Sequence, residues 1–549
     1  MSPPCDLCFL SFLLCTFLII SSALHLPLAQ LQKNPSPDPY QTLNRLASSS
    51  LKRAHHLKNP QPTATKGGAS PTTTTTPLFS HSYGGYTISL SFGTPPQTLP
   101  FVMDTGSDFV WFPCTHHYLC KNCSFSSSNI PSFIPKQSSS SKILGCQNPK
   151  CSWIHHTNAT QCDECGNNST PQNCSQICPP YFIFYGLGTT AGFALSETLN
   201  LGDRIEPDFL VGCSILSSHQ PAGVAGFGRG LPSLPTQLKL DKFSYCLISH
   251  RFDDSTSSSP LILDSNSDFD KKKIGLTYTP FLKNPIVQGK EAFKVYYYLG
   301  LRKISVGGRH VKVPYKYLSP GNDGNGGSIV DSGTTFTFMA REVFEPVAEE
   351  FVKQVKKYSR ARDVEDLTGL RPCFHVKGRE KVELPELRLH FKGGAEIALP
   401  PNNYFVLVDG GAACLTVVTG GGVGGGEGEV GQSGPAVILG NFQMQNYYVE
   451  YDLRNERLWR PVRFKLCFEA FLDGQNLLIT VWALLYDPRL WLDSEIFKSA
   501  MPLATLEVTS SCSPTSIPPS TSHFAYLKKT ASDSRVAKIE RKRPFNKKK

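Results

Sequence analysis

At 549 residues the chain is too long for one ordinary domain and implies two to four folded units. Apolar residues at 40% against 18% charged exclude a wholly disordered chain, and 44 Gly with 42 Pro favour turn-rich β structure over a helix bundle. The formal charge of +11 invites a nucleic-acid reading, but residues 528–549 hold ten Lys/Arg against two acids, and the rest is nearly balanced. No basic, aromatic-studded groove remains, so nucleic acid is set aside as a partner.

In chain order, residues 9–20 ("FLSFLLCTFLII") form an apolar run of secretory length, too short to span a bilayer. Small residues at Ser21, Ser22 and Ala23 place a signal-peptide cleavage after Ala23, although the leader carries no Lys or Arg. Residues 24–79 then read as a pro-segment and linker, polar and in places Pro- and Thr-rich ("SPTTTTTP"). Within them, "YQTLNRLASSSLKRAHHLK" joins helical periodicity to a cluster of bases. It is either a solvated linker or a segment that shields an acidic cleft until it is removed.

From Tyr83 the texture changes. "GGYTISLSFGTPPQTLPFVMDTGS" alternates apolar and polar residues about a "GTPPQ" turn, a strand–turn–strand pattern. Similar short strands recur in "YFIFYG", "FLVGCSIL", "YYYLGLRKISVGG", "GSIVDSGTTFTF", "AVILGNF" and "YYVEYDL". The best helix is predicted over residues 341–358, with apolar residues at i, i+3/i+4 spacing, and residues 419–434 form a flexible Gly insertion.

Three of 18 cysteines lie in the leader, and nine of the remaining 15 fall between Cys114 and Cys178. "CDEC" at 162–165 hints at zinc, but the other spacings are irregular and no partner pair lies at finger distance. Five sequons, at Asn122, Asn158, Asn167, Asn168 and Asn173, share the stretch, so an oxidised, glycosylated excursion is the reading, with no metal.

Two stretches carry chemistry. "VMDTGS" at 102–107 and "IVDSGTTFT" at 329–337 each set an Asp behind apolar residues and follow it with hydroxyl, Gly, hydroxyl. Gly106 and Gly333 permit close backbone approach, and the hydroxyls hold the loops rigid. Two such loops face to face place two carboxylates within a few Å, where they share one proton and titrate as a pair. Such a pair activates a water against a peptide carbonyl without a covalent intermediate. Two unrelated Asp-rich turns are the bland alternative, and the apolar run behind each argues against it.

These loops resemble the paired active-site loops of pepsin-type aspartic proteases. "SFGTPPQ", "KFSYCL", "ISVGG" and "ILGNFQMQNYYVEYDLRNERL" resemble the plant nepenthesin-like branch, over about residues 83–458. The resemblance implies a mostly β, bilobal pepsin-like fold with two related lobes and few short helices, residues 80–290 and 291–467. It makes Asp104 and Asp331 the catalytic pair, Thr105 and Ser332 a grip between lobes, and Ser107 and Thr334 hydrogen-bond partners of the carboxylates. Tyr185, followed by Gly186, resembles a flap tyrosine closing over substrate, with Trp111 behind it; ordinary core packing is the alternative for both aromatics. Leu187, where relatives carry a polar residue, makes the flap tip more apolar. "AGVAGFG" at 222–228 and "AVILGNF" at 436–442 match the segments that thread beneath each catalytic loop.

The resemblance also implies disulfides Cys114–Cys120, Cys123–Cys213, Cys146–Cys178, Cys151–Cys174, Cys246–Cys467 and Cys373–Cys414. Cys162 and Cys165 are extra and available to each other, and Cys512 is left over. Relatives end soon after the "YDL" strand, whereas this chain continues through a basic tail, residues 468–549. The tail reads as a disordered extension, a membrane-surface tether or a translated artefact of misassigned coding sequence. It is too short in apolar length to span a bilayer.

The expectation is therefore a secreted, monomeric aspartic endopeptidase made as a zymogen, of cell wall or, alternatively, vacuole. It cleaves proteins or peptides at acid pH between bulky apolar residues and needs no cofactor. A binding protein that inhibits secreted cell-wall-degrading enzymes is the main rival, and a cell-wall structural glycoprotein the second.

Overall fold

The computed structural model describes residues 24–30, 38–59, 85–123, 130–155, 162, 176–186, 188–202, 204–220, 222–247, 258–264, 277–376, 382–408, 411–420 and 434–459. The chain divides into units Met1–Leu477 and Leu478–Lys549, and all described residues lie in the first. The leader, four of the five sequons, Leu187, Cys165, Cys174, Cys467, Cys512, most of the Gly insertion and the tail lie outside them.

Among the described residues the architecture is mostly β, in four sheets with few helices. The predicted strand–turn–strand is a hairpin of β2 (Tyr86–Phe92) and β3 (Gln97–Asp104), in register from Thr87 opposite Val102 to Phe92 opposite Gln97. Its alternation works as strand periodicity requires: Tyr86, Ile88, Leu90 and Phe92 all point into the core. Gly93 turns the chain in left-handed backbone, φ 97°.

Each half of the molecule then repeats one device. In the first, β8 (Gly223–Gly226) lies parallel to β3 and antiparallel to β4 (Trp111–Pro113), with Val224 opposite both Val102 and Trp111. In the second, β14 (Val437–Leu439) lies parallel to β12 (Ser328–Val330) and antiparallel to β13 (Thr337–Met339), with Ile438 opposite both Ile329 and Phe338. Trp111 follows Asp104 by seven residues, as Phe338 follows Asp331. One strand–loop–strand unit, threaded by a third strand, therefore occurs twice.

A hairpin of β5 (Tyr181–Tyr185) and β6 (Gly188–Asn200) extends from β7 (Ile205–Ser218). The halves are joined where β9 (Lys242–Cys246) pairs with β15 (Tyr448–Asp452), Lys242 opposite Asp452 and Cys246 opposite Tyr448. β10 (Ser258–Asp264) continues that sheet, and β1 (Leu24–Gln30) bridges β10 and β2. β11 (Tyr297–Leu299) lies beside β12.

Part of the stretch expected to be linker is a helix, α1 (Pro39–Lys58), capped by the Asp38 carboxylate on the Tyr40 amide at 2.9 Å. Its stripe of Leu43, Leu46, Ala47, Ala54 and Leu57 shares one apolar cluster with Phe293, Tyr296, Phe336, Phe338 and Phe442. Burial of that stripe is why an otherwise polar segment orders. α1 packs on β13 and on the short helix α3 (Arg362–Thr368), whose Leu367 carbonyl accepts from Asn44 at 3.1 Å. The helix expected over 341–358 is shorter, α2 (Arg341–Gln354). Gln354 turns its amide onto the Val306 carbonyl at 2.7 Å, and Val355 and Tyr358 enter the core instead of continuing the helix.

Several disulfides differ from those implied by resemblance. β4 and β7 run parallel with Phe112 opposite Cys213, which brings Cys114 beside Cys213 (Cα–Cα 5.0 Å). Cys120 then pairs with Cys123 across a three-residue turn, so neither Cys114–Cys120 nor Cys123–Cys213 forms. Cys151, on a single helical turn, reaches Cys178 in place of Cys174, and Cys146 takes Cys162 in place of Cys178, so Cys162 does not pair with Cys165. Cys373–Cys414 is the implied pair, opposite one another in adjacent strands. Cys246 is disulfide-bonded, and its implied partner Cys467 lies outside the described residues.

Leu46 is fully buried at the centre of the α1 stripe. Leu46→Ala is expected to weaken docking of the helix by about 3 kcal/mol, read as faster amide exchange in residues 39–58 with the β2–β3 hairpin unchanged.

Candidate active site

The two Asp loops meet at the junction of the halves through reciprocal hydrogen bonds. The Thr105 amide donates to Ser332 Oγ at 3.0 Å, and the Ser332 amide donates to Thr105 Oγ1 at 2.9 Å. Ser332 Oγ donates on to the Met103 carbonyl at 2.9 Å, and Thr105 Oγ1 to that of Val330 at 3.5 Å. Both residues are almost wholly buried, so each hydroxyl is spent on the facing strand.

This lock brings the carboxylates together. A Cβ on Gly106 would lie 2.6 Å from Asp331 Oδ1, and one on Gly333 would lie 2.6 Å from Asp104 Oδ1. Each glycine is therefore needed because the other half's aspartate fills its side-chain space. Asp104 accepts from Ser107 Oγ at 2.6 Å and the Gly106 amide at 3.0 Å. Asp331 accepts from Thr334 Oγ1 at 2.5 Å and the Gly333 amide at 3.0 Å.

Between the carboxylates sits a residue that sequence reasoning did not single out. Arg53 of α1 donates through Nη2 to Asp104 Oδ1 at 2.6 Å and through Nε to Asp331 Oδ2 at 3.1 Å, with a longer bond from Nη2 to Asp331 Oδ1 at 3.4 Å. The signal for it existed: Arg53 falls on the apolar stripe, seven residues after Leu46 and three after Ser50, where a solvated base would not. Ser50 accepts from the Phe336 amide at 2.9 Å and fixes the helix against the second loop.

Burial is the strongest influence on every charge here. It pushes the Asp104 carboxyl up, aided by Asp331 and opposed by Arg53. At Asp331 burial is outweighed by the Arg53 charge and by hydrogen bonds from Arg53, Thr334 and Gly333, which hold that carboxyl down. Burial works against the Arg53 cation, but the two carboxylates more than offset it and keep it charged. The aspartates are thus driven apart, one toward the protonated and one toward the ionised form.

Tyr185 and Gly186 line one cavity with Asp104 and Gly333. Trp111 Nε1 donates to the Tyr185 hydroxyl at 2.8 Å, both side chains being buried. Gly186 lies against the helix backbone, where a Cβ would meet Arg53 Cα at 2.5 Å. Val102, Val224, Tyr185, Gln220 and Thr335 line the cavity that remains beside Arg53. Asn441 and Gln443, also missed, buttress the second loop from the helical turn α4 (Asn441–Met444). Asn441 Nδ2 donates to the Ser332 carbonyl at 2.9 Å, and Gln443 Oε1 accepts from the Thr337 amide at 2.9 Å. Asn122 is exposed in a left-handed turn between Cys120 and Cys123. Metal-ligand atom types meet at Cys151, His155 and Cys178, but the two sulfurs are joined in a disulfide and offer no thiolate.

Paired Asp–hydroxyl–Gly–hydroxyl loops locked face to face in a two-fold repeated β scaffold define the pepsin-like class. The xylanase inhibitor N-terminal family profile matches residues 86–263, and the xylanase inhibitor C-terminal profile matches residues 296–459. A probable aspartyl protease of Arabidopsis thaliana is 35% identical over 68% of this chain and 81% of its own length. Aspartic proteinase nepenthesin-1 of Nepenthes gracilis is 32% identical over 68% of this chain and 76% of its own. The chain belongs to the plant pepsin-like, nepenthesin-like aspartic protease family. Its fold is similar to the crystal structure of edgp, with a TM-score of 0.53 at 19% identity, covering 80% of this chain and 94% of that one. It is also similar to basic 7S globulin from soybean, TM-score 0.50 at 19% identity, covering 70% and 93%.

Removing the Ser332 hydroxyl leaves the Thr105 amide and Met103 carbonyl unpaired in the core. Ser332→Ala is expected to cost roughly 2–4 kcal/mol in denaturant unfolding, and Ser332→Thr, which keeps the hydroxyl, less than about 1 kcal/mol.

Proposed function

We propose that the protein is an aspartic endopeptidase, made as a zymogen, that hydrolyses peptide bonds of proteins at acid pH. The observation that carries this reading is the meeting of Asp104 and Asp331, each held by its own hydroxyl and glycine amide, with a cation bridging them. In the working form the space taken by Arg53 holds a water. One carboxylate, ionised, removes its proton as it attacks the peptide carbonyl, and the other, protonated, donates to the carbonyl oxygen. Tyr185, braced by Trp111, closes over the substrate backbone.

Arg53 enforces latency in two ways: it occupies the water's place and it neutralises the carboxylates. Residues 24–79 are accordingly the pro-segment, with α1 as the inhibitory element. The cleft wall is mixed, Val102 and Val224 beside Gln220 and Thr335, which supports apolar side chains flanking the cut bond with one polar contact close by. Secretion, glycosylation at Asn122 and a monomeric state belong to the same reading. A family description that names an inhibitor keeps a binding protein as the rival, but a binding role has no need of the intact dyad.

The sign of the pH dependence follows from the pair. Activity requires one shared proton, so it is present at acid pH and falls as pH rises through the elevated Asp104 ionisation. Hydrolysis of a denatured protein is expected to show an acid optimum and to drop at least about 100-fold in Asp104→Asn. A folded chain, freed of residues 24–79, with no activity from pH 2 to 8 would favour the binding protein. Arg53→Ala, which removes both the stem and the cation, is expected to give the full-length chain activity near pH 6, where the parent is silent.

A further inference from the structure

The turn of α1 that enters the cleft reads Lys52, Arg53, Ala54, His55, His56, four titratable or cationic residues in five. Arg53 is matched by the two aspartates. His56, one turn further along the same face, is half-buried, and the charges acting on it are those of Arg53, Asp331 and His55. The Tyr296 hydroxyl stands beside this turn, donating to the Leu57 carbonyl at 3.3 Å, while Lys58 points away onto the Pro435 carbonyl at 3.2 Å. A second imidazole precedes Gln220, which lines the cavity together with Ser49, Ser50 and Arg53 of α1. His219, just past the end of β7, holds left-handed backbone (φ 57°) and donates its amide to the Lys121 carbonyl at 3.0 Å. It is 8% exposed, its Nε2 has no hydrogen-bond partner, and the charge acting on it is Lys52 of α1.

We propose that α1 is released from the cleft by protonation of these two imidazoles, His56 on the helix and His219 beside the cavity-lining Gln220, at a pH above that at which the carboxylates protonate. This rests on the zymogen reading and names what sets its threshold. With the helix docked, His56 follows Arg53 by one helical turn, and the Lys52 charge acts on His219, cations that the site already has to accommodate. A proton on either adds a third or fourth cation against at most two carboxylates.

Burial, followed by the neighbouring Arg53 charge, holds His56 down to about 3, and burial with Lys52 lowers His219. A base held down in the docked state contributes to docking above its ordinary value near 6.5. That contribution is lost as pH falls below 6.5, at up to tenfold in the docking constant per pH unit. Between pH 6.5 and 4.5, His56 alone therefore weakens docking about 50-fold. Asp331, held low, withdraws its contribution only below the ordinary carboxylate range.

The test uses the full chain carrying Asp104→Asn, which prevents self-cleavage and removes the one carboxylate whose ionisation is raised. Amide exchange of residues 39–58, corrected for its intrinsic pH dependence, is followed from pH 7.5 to 4. Protection is expected to fall at least about 50-fold between pH 6.5 and 4.5, and less than about tenfold once His56→Gln is added. His219→Gln is expected to flatten the profile further. If the buried site does not tolerate it, seen as lost protection in the β2–β3 hairpin, His56→Gln at its half-exposed position carries the test alone. A His56→Gln profile that overlays its parent between pH 6.5 and 4.5 overturns the proposal. With Asp104 restored, hydrolysis whose acid threshold His56→Gln leaves unmoved removes the histidine switch and keeps the protease. Histidine-dependent release without hydrolysis at any pH keeps the switch and removes the protease.

Discussion

Everything at the centre of this molecule depends on the exchange of hydrogen bonds between Thr105 and Ser332. Two carboxylates do not approach each other willingly, and neither loop alone would hold its aspartate against the other. The exchange is made of neutral groups in a dry site, where each bond is strong and each missing one costly. It fixes the distance between the halves at the one place where error matters. Gly106 and Gly333 then let each aspartate enter the space beside the opposing backbone.

A buried pair of acids also needs a countercharge when it is not at work. Arg53 suits that role better than a lysine would, because its planar fork reaches both carboxylates at once and it does not shed its proton on burial. The helix that delivers it is anchored by apolar contacts along its length and by Ser50 on the Phe336 amide. Position is thus set by packing, and charge is matched locally. The two tasks fall to different side chains of one segment.

The sequence was most legible where the determining contacts are short in range. The "GTPPQ" hairpin is read from alternation and turn residues, and the threading segments from their resemblance to those of the family. The doubled Asp loops were legible because repetition is visible without any knowledge of contact. Arg53 escaped because its partners lie 51 and 278 residues away and periodicity alone does not say what a helix face covers. Cysteine pairing failed for a related reason: Cys114 meets Cys213 only through the β4–β7 register, and one step of slip would change the partner. Asn441 looked like part of a strand motif, and its hold on the Ser332 carbonyl follows from a helical turn that no local pattern announced.

The apolar face of α1 has a meaning beyond latency. Leu43, Leu46, Ala47, Ala54 and Leu57 complete an interior whose other walls are Phe293, Tyr296, Phe336, Phe338 and Phe442. The second half of the molecule thus acquires part of its hydrophobic interior from a segment outside its own sheets, and on the zymogen reading that interior becomes floor when the segment leaves. Phe338, opposite Ile438 in the threaded sheet, is answerable to two ancestries of selection at once. It must pack well enough for the nascent chain to fold and, on the proposed reading, present a surface on which a substrate can later lie. Drift at such a position is constrained from both sides, so the wall of the cleft should diverge more slowly among descendants of this gene than its modest role in chemistry would warrant.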